Sequence, residues 1–290
     1  MRAGETIREV RDSIPNLVGE GKSFLDTCES VEGAIREKGC EPAFPCNIGV
    51  NEVAAHYTAS PEDKNVIPSN CVVKLDLGAH FKGYIADSAI TVILNAEYEP
   101  MLIAAREALD RALRIISPGT KIKDVSRIVE RTIESYGYKP ISNLCGHRIM
   151  PYVIHASPSI PNVMSPFVFG KFESDNIYAI EPFVTTKDAA GIVVNGPSGN
   201  IYRLARTKHP KDKASKMLFN QIYHTHRTLP FTLRWLLKGT SAEWFSKRFK
   251  ILLRERRLES YPVLYEQSGR PVVQAEHSIL LTEKETIILT

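Results

Sequence analysis

The sequence contains an internal repeat. Residues 8–42 align with residues 106–140 at a constant offset of 98 residues and without a gap. Ten of the 35 aligned positions are identical, whereas ordinary composition gives roughly 6% per position by chance. Each copy has the pattern of a helix, a Gly-containing turn, a second helix, and Gly-x-x-Pro before a strand. The repeat therefore predicts two similar halves, each made of helices and antiparallel strands, related by a pseudo-two-fold axis.

Apolar segments that follow each copy predict the strands of the two halves. The predicted strands cover residues 50–56 and a hairpin near 74–88 in the first half, 141–155 and 177–184 in the second, and 262–264 and 272–290 at the end. Residues 205–261 differ, because they are basic and show helical periodicity over 213–223 and 242–253. We therefore expect an α+β domain, residues 1–204 with 262–290, interrupted by a helical insertion, residues 205–261.

Composition excludes several classes of protein. The 290 residues are 43% hydrophobic and 24% charged, which is ordinary for a globular protein with a full core. No run of about 18 apolar residues suggests a membrane span, and the first ten residues do not resemble a signal peptide. The five cysteines lack metal-binding spacing, so we expect reduced thiols and a cytoplasmic location. The net charge of +4 does not indicate specific nucleic-acid binding; the basic cluster over 247–257 is interpreted as a solvated helix face.

Two aspartates on the predicted hairpin are the first candidate functional residues. If residues 80–83 form a four-residue loop, Asp76 lies directly opposite Asp87. If Lys82 and Gly83 form a two-residue turn, the aspartates are diagonal neighbours instead. Both registers place two carboxylates on one face among apolar residues, where like charges destabilise the pair unless a cation lies between them. The hairpin therefore predicts a divalent-cation site.

Three later apolar segments supply further ligand-type side chains. His147 follows Gly146, Glu181 lies within Ala-Ile-Glu-Pro-Phe, and Glu276 lies within Gln-Ala-Glu-His. Two Asp, two Glu and one His suit a pair of hard or borderline divalent ions. Structural zinc sites, in contrast, are rich in Cys at short spacing.

In this order, the motifs resemble those of the type 2 methionine aminopeptidases of archaeal length, which belong to peptidase family M24 and have the pita-bread fold. The resemblance covers essentially the whole chain. Three residues depart from the family pattern: Cys71, Phe81 and Ser157. The motifs that carry the resemblance are Pro42-Ala43-Phe44-Pro45, Asn51 to Thr58, Lys74, Asp76, Gly78, His80, Gly83 and Asp87, Gly146-His147, Ile154-His155-Ala156, Ala179 to Phe183, and Gln274 to His277.

The resemblance implies a role for each site residue. Asp76 would chelate one of two ions, Asp87 and Glu276 would bridge both, and His147 with Glu181 would complete the second. The two ions, Co, Mn, Fe or Zn, would activate a water for attack on the peptide bond. Glu181 would also shuttle protons. His155 would stabilise the oxygen of the tetrahedral intermediate and His56 would contact the scissile amide, while Phe44 and Ile154 would line a pocket for the Met side chain.

The implied activity is removal of the initiator methionine from nascent cytosolic proteins when the second residue is small. We expect a monomer that recognises the free N-terminal Met of peptides and nascent chains and contacts the ribosome transiently. A proline-specific peptidase of the same fold is an alternative, although such enzymes usually carry an extra N-terminal domain. A non-catalytic pita-bread protein that binds RNA or ribosomes is the other alternative, but it should have lost metal ligands, and all five are present here.

Overall fold

A computed structural model of the protein describes residues 1–237 and 242–290. The helices are α1 Arg2–Leu17, α2 Phe24–Glu37, α3 Glu99–Ile115, α4 Ile122–Ser135, α5 Lys213–His226, α6 Leu233–Leu236 and α7 Ala242–Arg254. The strands are β1 Glu41–Pro42, β2 Asn47–Val50, β3 Val53–Ala55, β4 Val72–Phe81, β5 Tyr84–Ile93, β6 Lys139–Pro140, β7 Cys145–Met150, β8 Val153–Pro161, β9 Asn176–Ile180, β10 Phe183–Thr185, β11 Val193–Leu204, β12 Phe231–Thr232, β13 Leu258–Glu266, β14 Val272–Gln274, β15 His277–Leu281 and β16 Thr286–Ile288.

The two-half architecture predicted from the repeat is confirmed. Helices α2 and α4 begin and end at positions that differ by the repeat offset, and so do strands β1 and β6. The helices share the apolar positions that face the core, at Phe24, Val31 and Ile35 in α2 and at the equivalent sites of α4. Of these two helices, α2 has a side-chain N-cap, where Ser23 accepts a hydrogen bond from the Asp26 amide, and α4 has none.

Each half has its own hydrophobic core. In the first half α1 and α2 pack on β4, with Ile7, Val31 and Leu75 fully buried. In the second half α3 and α4 pack on the strands around Tyr178 and Ile279. Full burial of one such Leu or Ile side chain contributes about 1.5–3 kcal/mol. The helices therefore cover the outer face of the strands and leave the other face to the cavity described below.

All strand pairs described within the four sheets are antiparallel. In the first half β4 pairs with β5 on one side and with β1 and β2 on the other. The second half contains the order β16-β15-β9-β7-β8 and the smaller sheet β14-β10-β6. A further sheet, β12-β11-β13-β3, joins residues of the predicted insertion to the first half.

The strand predictions need correction at several places. The strand predicted over residues 177–184 is two strands, β9 and β10, which are separated at Glu181 and Pro182. The strand predicted over residues 50–56 is broken, because Asn51 has a φ of +48° and begins a turn before β3. The strand predicted over 141–155 is a hairpin, β7 and β8. Strand β11 is not predicted at all, because Gly196 and Pro197 within it read as a turn; the structure accommodates them with register shifts against β13.

The predicted insertion contains the helices α5, α6 and α7 and a separate apolar cluster. Phe219, Phe231, Phe249 and Leu252 are buried in that cluster, together with Leu258 of β13. Strand β13 begins at Leu258, four residues before the predicted return to strand at Pro262. Residues 238–241 of the insertion lie outside the described residues, and the division at residues 205 and 261 stays a prediction. Along the described chain, every helix is too short or too polar to cross a membrane.

Candidate metal centre

The β4–β5 hairpin brings its two aspartates together as diagonal neighbours. Lys82 and Gly83 form a two-residue turn with φ values of +53° and +90°, and Phe81 pairs with Tyr84. Positive φ at both central positions is the geometry that matches the twist of a tight hairpin. In this register Asp76 is opposite Ala89, and Asp87 is opposite Gly78. The two-residue alternative is therefore correct, and both carboxylates face the same side.

Glu276 reaches the aspartates from the junction between β14 and β15. Single oxygens of Asp76, Asp87 and Glu276 lie within 4.8 Å of one another. The junction is held against β5, because the Ser88 hydroxyl donates to the Glu276 carbonyl at 2.9 Å. The Ser278 hydroxyl donates to the Asp87 carbonyl at 2.8 Å and accepts from the Asp87 amide at the same distance. These bonds hold the backbone of Glu276 beside the hairpin.

The second half contributes His147 from β7 and Glu181 from the end of β9. The Nε2 atom of His147 lies 3.7 Å from Asp87 Oδ2 and 3.5 Å from Glu181 Oε1. Gln274 Nε2 donates to Glu181 Oε2 at 3.3 Å and to Glu276 Oε2 at 3.2 Å. One amide thus links carboxylates from different segments of the chain.

Burial makes this acidic group electrostatically unfavourable without a cation. Burial raises the pKa of Asp76 to about 7. Burial also raises the pKa of Asp87, Glu181 and Glu276 well above their usual range, and the neighbouring carboxylates add to each shift. Burial lowers the pKa of His147 to about 4, so its imidazole is neutral at pH 7 and available as a ligand.

The donor set fits divalent cations. Asp76 Oδ1 and Asp87 Oδ1 are buried and have no hydrogen-bond partner among the described residues. Buried polar atoms are normally paired, so these oxygens have coordination capacity that the protein does not use. Four carboxylates and one neutral imidazole suit borderline ions such as Mn, Fe, Co or Zn. The ligand roles themselves remain a prediction.

The acidic group forms the floor of a cavity of about 460 Å³. His155 is exposed to the cavity, and its ring centre lies 4.7 Å from that of His147 and 6.5 Å from that of His56. Phe44 and Ile154 belong to a buried apolar cluster beside the acidic floor. All the site residues predicted from the sequence line this one cavity: Phe44, His56, Asp76, Asp87, His147, Ile154, His155, Glu181 and Glu276.

Tyr261 is a cavity residue that sequence reasoning missed. Its ring centre lies 5.1 Å from that of His56 and 6.2 Å from that of His155. In the sequence it is the last residue of the predicted helical insertion, and no motif marks it. Its place depends on the pairing of β13 with β3, which connects residues far apart in sequence.

Comparisons with known proteins identify the family and the fold of the chain. The chain matches metallopeptidase family M24 over residues 1–212. It is 41% identical over 297 aligned positions to a methionine aminopeptidase of Methanocaldococcus jannaschii, with 100% of this chain and 97% of the relative covered. The structure of a thermophilic Arx1 superposes with a TM-score of 0.84 at 16% identity, covering 99% of this chain and 88% of that one. A methionine aminopeptidase from Thermotoga maritima superposes with a TM-score of 0.68 at 21% identity, covering 100% and 94%.

Proposed function

Because this chain belongs to metallopeptidase family M24, we propose that its acidic cavity removes the initiator methionine from nascent proteins whose second residue is small. The chain is a metallo-aminopeptidase of the methionine aminopeptidase group, as its identity to a full-length archaeal relative indicates. One observation carries the assignment of the site: five ligand-type side chains from both halves converge on the floor of a single cavity. The subtype we propose is type 2, with residues 205–261 as its helical insertion.

Asp76, Asp87, His147, Glu181 and Glu276 are the residues that would hold the metal, and we propose two ions per chain. Bound divalent ions supply Lewis-acid activation of water and of the peptide carbonyl. All five side chains come from one chain, so a monomer contains the complete site. The unpaired oxygens of Asp76 and Asp87 support this assignment.

Glu181 is the proposed proton shuttle. Its carboxylate lies at the cavity floor, held by the Gln274 amide at 3.3 Å. It would accept a proton from the attacking water and deliver that proton to the nitrogen of the leaving amide. In the metal-free site, burial and the charges of Asp87 and Asp76 raise the pKa of this carboxyl well above its usual range. A side chain beside the reacting groups can act in general acid–base catalysis.

The histidines of the cavity wall would bind the reacting amide. His155 would donate a hydrogen bond to the oxygen that becomes negatively charged, and a donor of this kind is worth on the order of 10²-fold in rate. His56 would contact the scissile amide from the opposite half of the molecule. The free N-terminal amine of the substrate would be recognised at the acidic floor, so we expect that internal peptide bonds are not cleaved.

The apolar wall would select the methionine side chain. Phe44 is 7% exposed and Ile154 is 6% exposed, and both line the same cavity as Tyr261. A flexible thioether fits such an irregular apolar pocket well. We add Tyr261 to the proposed substrate contacts on this basis.

Transient ribosome association in the cytoplasm is the proposed setting of the reaction. Residues 205–261 contain 14 of the 37 Lys and Arg but 4 of the 33 Asp and Glu. The segment therefore carries a net charge of +10, whereas the rest of the chain carries −6. Such a basic surface is attracted to RNA phosphates without base specificity.

The test is release of free Met from Met-Ala-Ser by metal-stripped protein, with and without added Mn(II) or Co(II). We expect cleavage only with metal, and none of the N-acetylated peptide. If folded protein cleaves nothing with any metal, the peptidase assignment is wrong and the non-catalytic alternative gains support. Cleavage of Xaa-Pro dipeptides in preference to Met-Ala-Ser would favour the proline-specific alternative.

A further inference from the structure

One buried guanidinium connects the helical insertion to the catalytic half. Arg234 lies on α6 and is 5% exposed. Its Nη1 and Nη2 atoms donate to the two carboxylate oxygens of Glu32 on α2, at 2.7 and 2.9 Å. Glu32 also accepts from the Trp235 indole at 2.7 Å and from the Cys46 amide at 3.1 Å. This two-point pairing fixes the plane of the guanidinium.

The remaining donors of Arg234 bind the segment that follows His56. Nε donates to the Ala59 carbonyl at 2.7 Å, and Nη2 donates to the Thr58 hydroxyl at 2.8 Å. The Thr58 hydroxyl in turn donates to the Cys46 carbonyl at 2.7 Å. The guanidinium therefore holds residues 58 and 59 on one side and helix α2 on the other.

His56 is a residue whose conformation requires such support. Its φ is +65°, in the left-handed region that a residue with a side chain rarely adopts. Unfavourable backbone conformations of this kind persist when surrounding contacts over-determine them. The conformation places the His56 ring on the cavity wall, where its centre lies 5.1 Å from that of Tyr261 and 6.5 Å from that of His155.

We infer that Arg234 is a positioning residue. Through Thr58 and Ala59 it would hold His56 against the substrate, so the helical insertion contributes to turnover as well as to the fold. The inference rests on the role of His56 in the proposed function. A merely structural ion pair would stabilise the protein without affecting the position of His56.

Paired substitutions separate the two roles. Arg234→Met alone leaves the buried Glu32 carboxylate without its cation and should lower the melting temperature by roughly 10 °C. Adding Glu32→Gln removes that uncompensated charge and should recover most of the loss in melting temperature. Because Thr58 and Ala59 still lack their hydrogen bonds from Arg234, we expect kcat of the double variant to stay between about tenfold and 10²-fold low. Full recovery of kcat together with stability would overturn the inference.

A mutant cycle with His56→Asn tests whether Arg234 acts on turnover through His56. Asn tolerates the left-handed region better than other residues with side chains, so the backbone should be kept. If Arg234 acts through His56, then adding Glu32→Gln and Arg234→Met to His56→Asn should not lower kcat further. Independent losses of kcat that multiply would contradict the inference.

Should the double variant not fold, Thr58→Val tests the same link, because it removes the hydroxyl that accepts from Arg234 and leaves the ion pair between Arg234 and Glu32. Unchanged kcat in Thr58→Val would also count against it.

Two controls identify other causes of a loss. Trp235→Phe removes one hydrogen-bond donor to Glu32 and leaves the hydrogen bonds from Arg234 to residues 58 and 59 in place. Its kcat should therefore stay within about twofold of that of the parent. Co(II) affinity, measured by calorimetry, should be the same in the double variant and the parent; a weakened Co(II) affinity would mean that the acidic floor has moved and would refute a route through His56. An inactive parent protein would refute the proposed function, whereas an active parent with an active double variant refutes only the role of Arg234.

Discussion

At the scale of single residues, the cavity floor concentrates carboxylates for which the described part of the chain supplies no cation. Burial raises the pKa of Asp76, Asp87 and Glu276, and neighbouring carboxylates raise the pKa of Asp87 and Glu276 further. Such an arrangement destabilises the metal-free fold, and an enzyme tolerates it when the same carboxylates are needed as ligands. Gln274 is a neutral residue whose side-chain amide donates to Glu276 and to Glu181.

Gly78 provides a residue-scale test of the methionine pocket. A Cβ atom at this position would lie 2.3 Å from Cε1 of Phe44, so Gly78→Ala must displace that ring. We expect KM for Met-Ala-Ser to rise on the order of tenfold. Steady-state kinetics with the metal-loaded enzyme is the measurement.

Gly33 is the matched control for that substitution. It lies inside α2, and a Cβ atom there would meet nothing within 4 Å. Gly33→Ala should leave KM unchanged and stabilise the fold by about 0.5–1 kcal/mol. An unchanged KM in Gly78→Ala would show that Phe44 does not shape the pocket.

At the scale of elements, local patterns were predictable and long-range pairings were not. The repeat predicted α2 and α4, because their apolar positions and Gly-containing ends lie within one short segment. The hairpin placed Asp76 near Asp87 in either register. Strand β11 and the wall residue Tyr261 were missed, since both depend on pairings with β13 that no local pattern encodes. Convergence of Glu276 on the hairpin was implied by family resemblance, not by periodicity.

Helix α5 offers a pH test of the insertion. His226 stacks on Phe231 with ring centres 5.2 Å apart, and burial lowers its pKa to about 4. The unfolded chain binds this proton near pH 6.5 and the folded chain does not. The His226 contribution to stability is therefore present above pH 6.5 and falls as pH drops toward 4, by at most about 1.4 kcal/mol per pH unit.

The variant His226→Phe keeps the ring stacking and removes the titration. As the pH is lowered from 7 to 4.5, we expect the free energy of unfolding of the variant to rise steadily relative to that of the parent. Urea unfolding of the metal-free proteins is the measurement. Above pH 7 the two proteins should respond to pH alike. A stability difference that stays constant over the whole range would show that His226 does not titrate on unfolding.

At the scale of the whole molecule, the proposed function depends on two features: the two halves that form the site and the unequal distribution of charge along the chain. The proposed ligands come from both halves, as a pseudo-two-fold axis through the site allows. The insertion carries the positive charge and the rest of the chain carries the negative charge. Lys247, Lys250 and Arg254 are exposed on α7 at a spacing that places them on one face. This face is the proposed contact with ribosomal RNA.

Changing those three residues to Gln should weaken co-sedimentation with archaeal ribosomes and reduce its salt dependence. Hydrolysis of Met-Ala-Ser should not change, because none of the three lines the cavity. The control is the same substitution at Lys64, Lys187 and Lys284, which are exposed outside the insertion. Equal losses of ribosome binding in both triple variants would mean that net charge, and not this face, governs the interaction.

We propose that five side chains from both halves hold two catalytic ions. The most direct measurement is the stoichiometry of Co(II) bound to metal-stripped protein, followed by calorimetry and by activity at each addition, for the parent and for Glu276→Gln. We predict two ions per parent chain, at most one per variant chain and a loss of activity above 10²-fold in the variant. The metal-free variant should melt no lower than the metal-free parent, because one buried repulsive carboxylate is gone. A Glu276→Gln variant that binds two ions and keeps full activity would contradict the account.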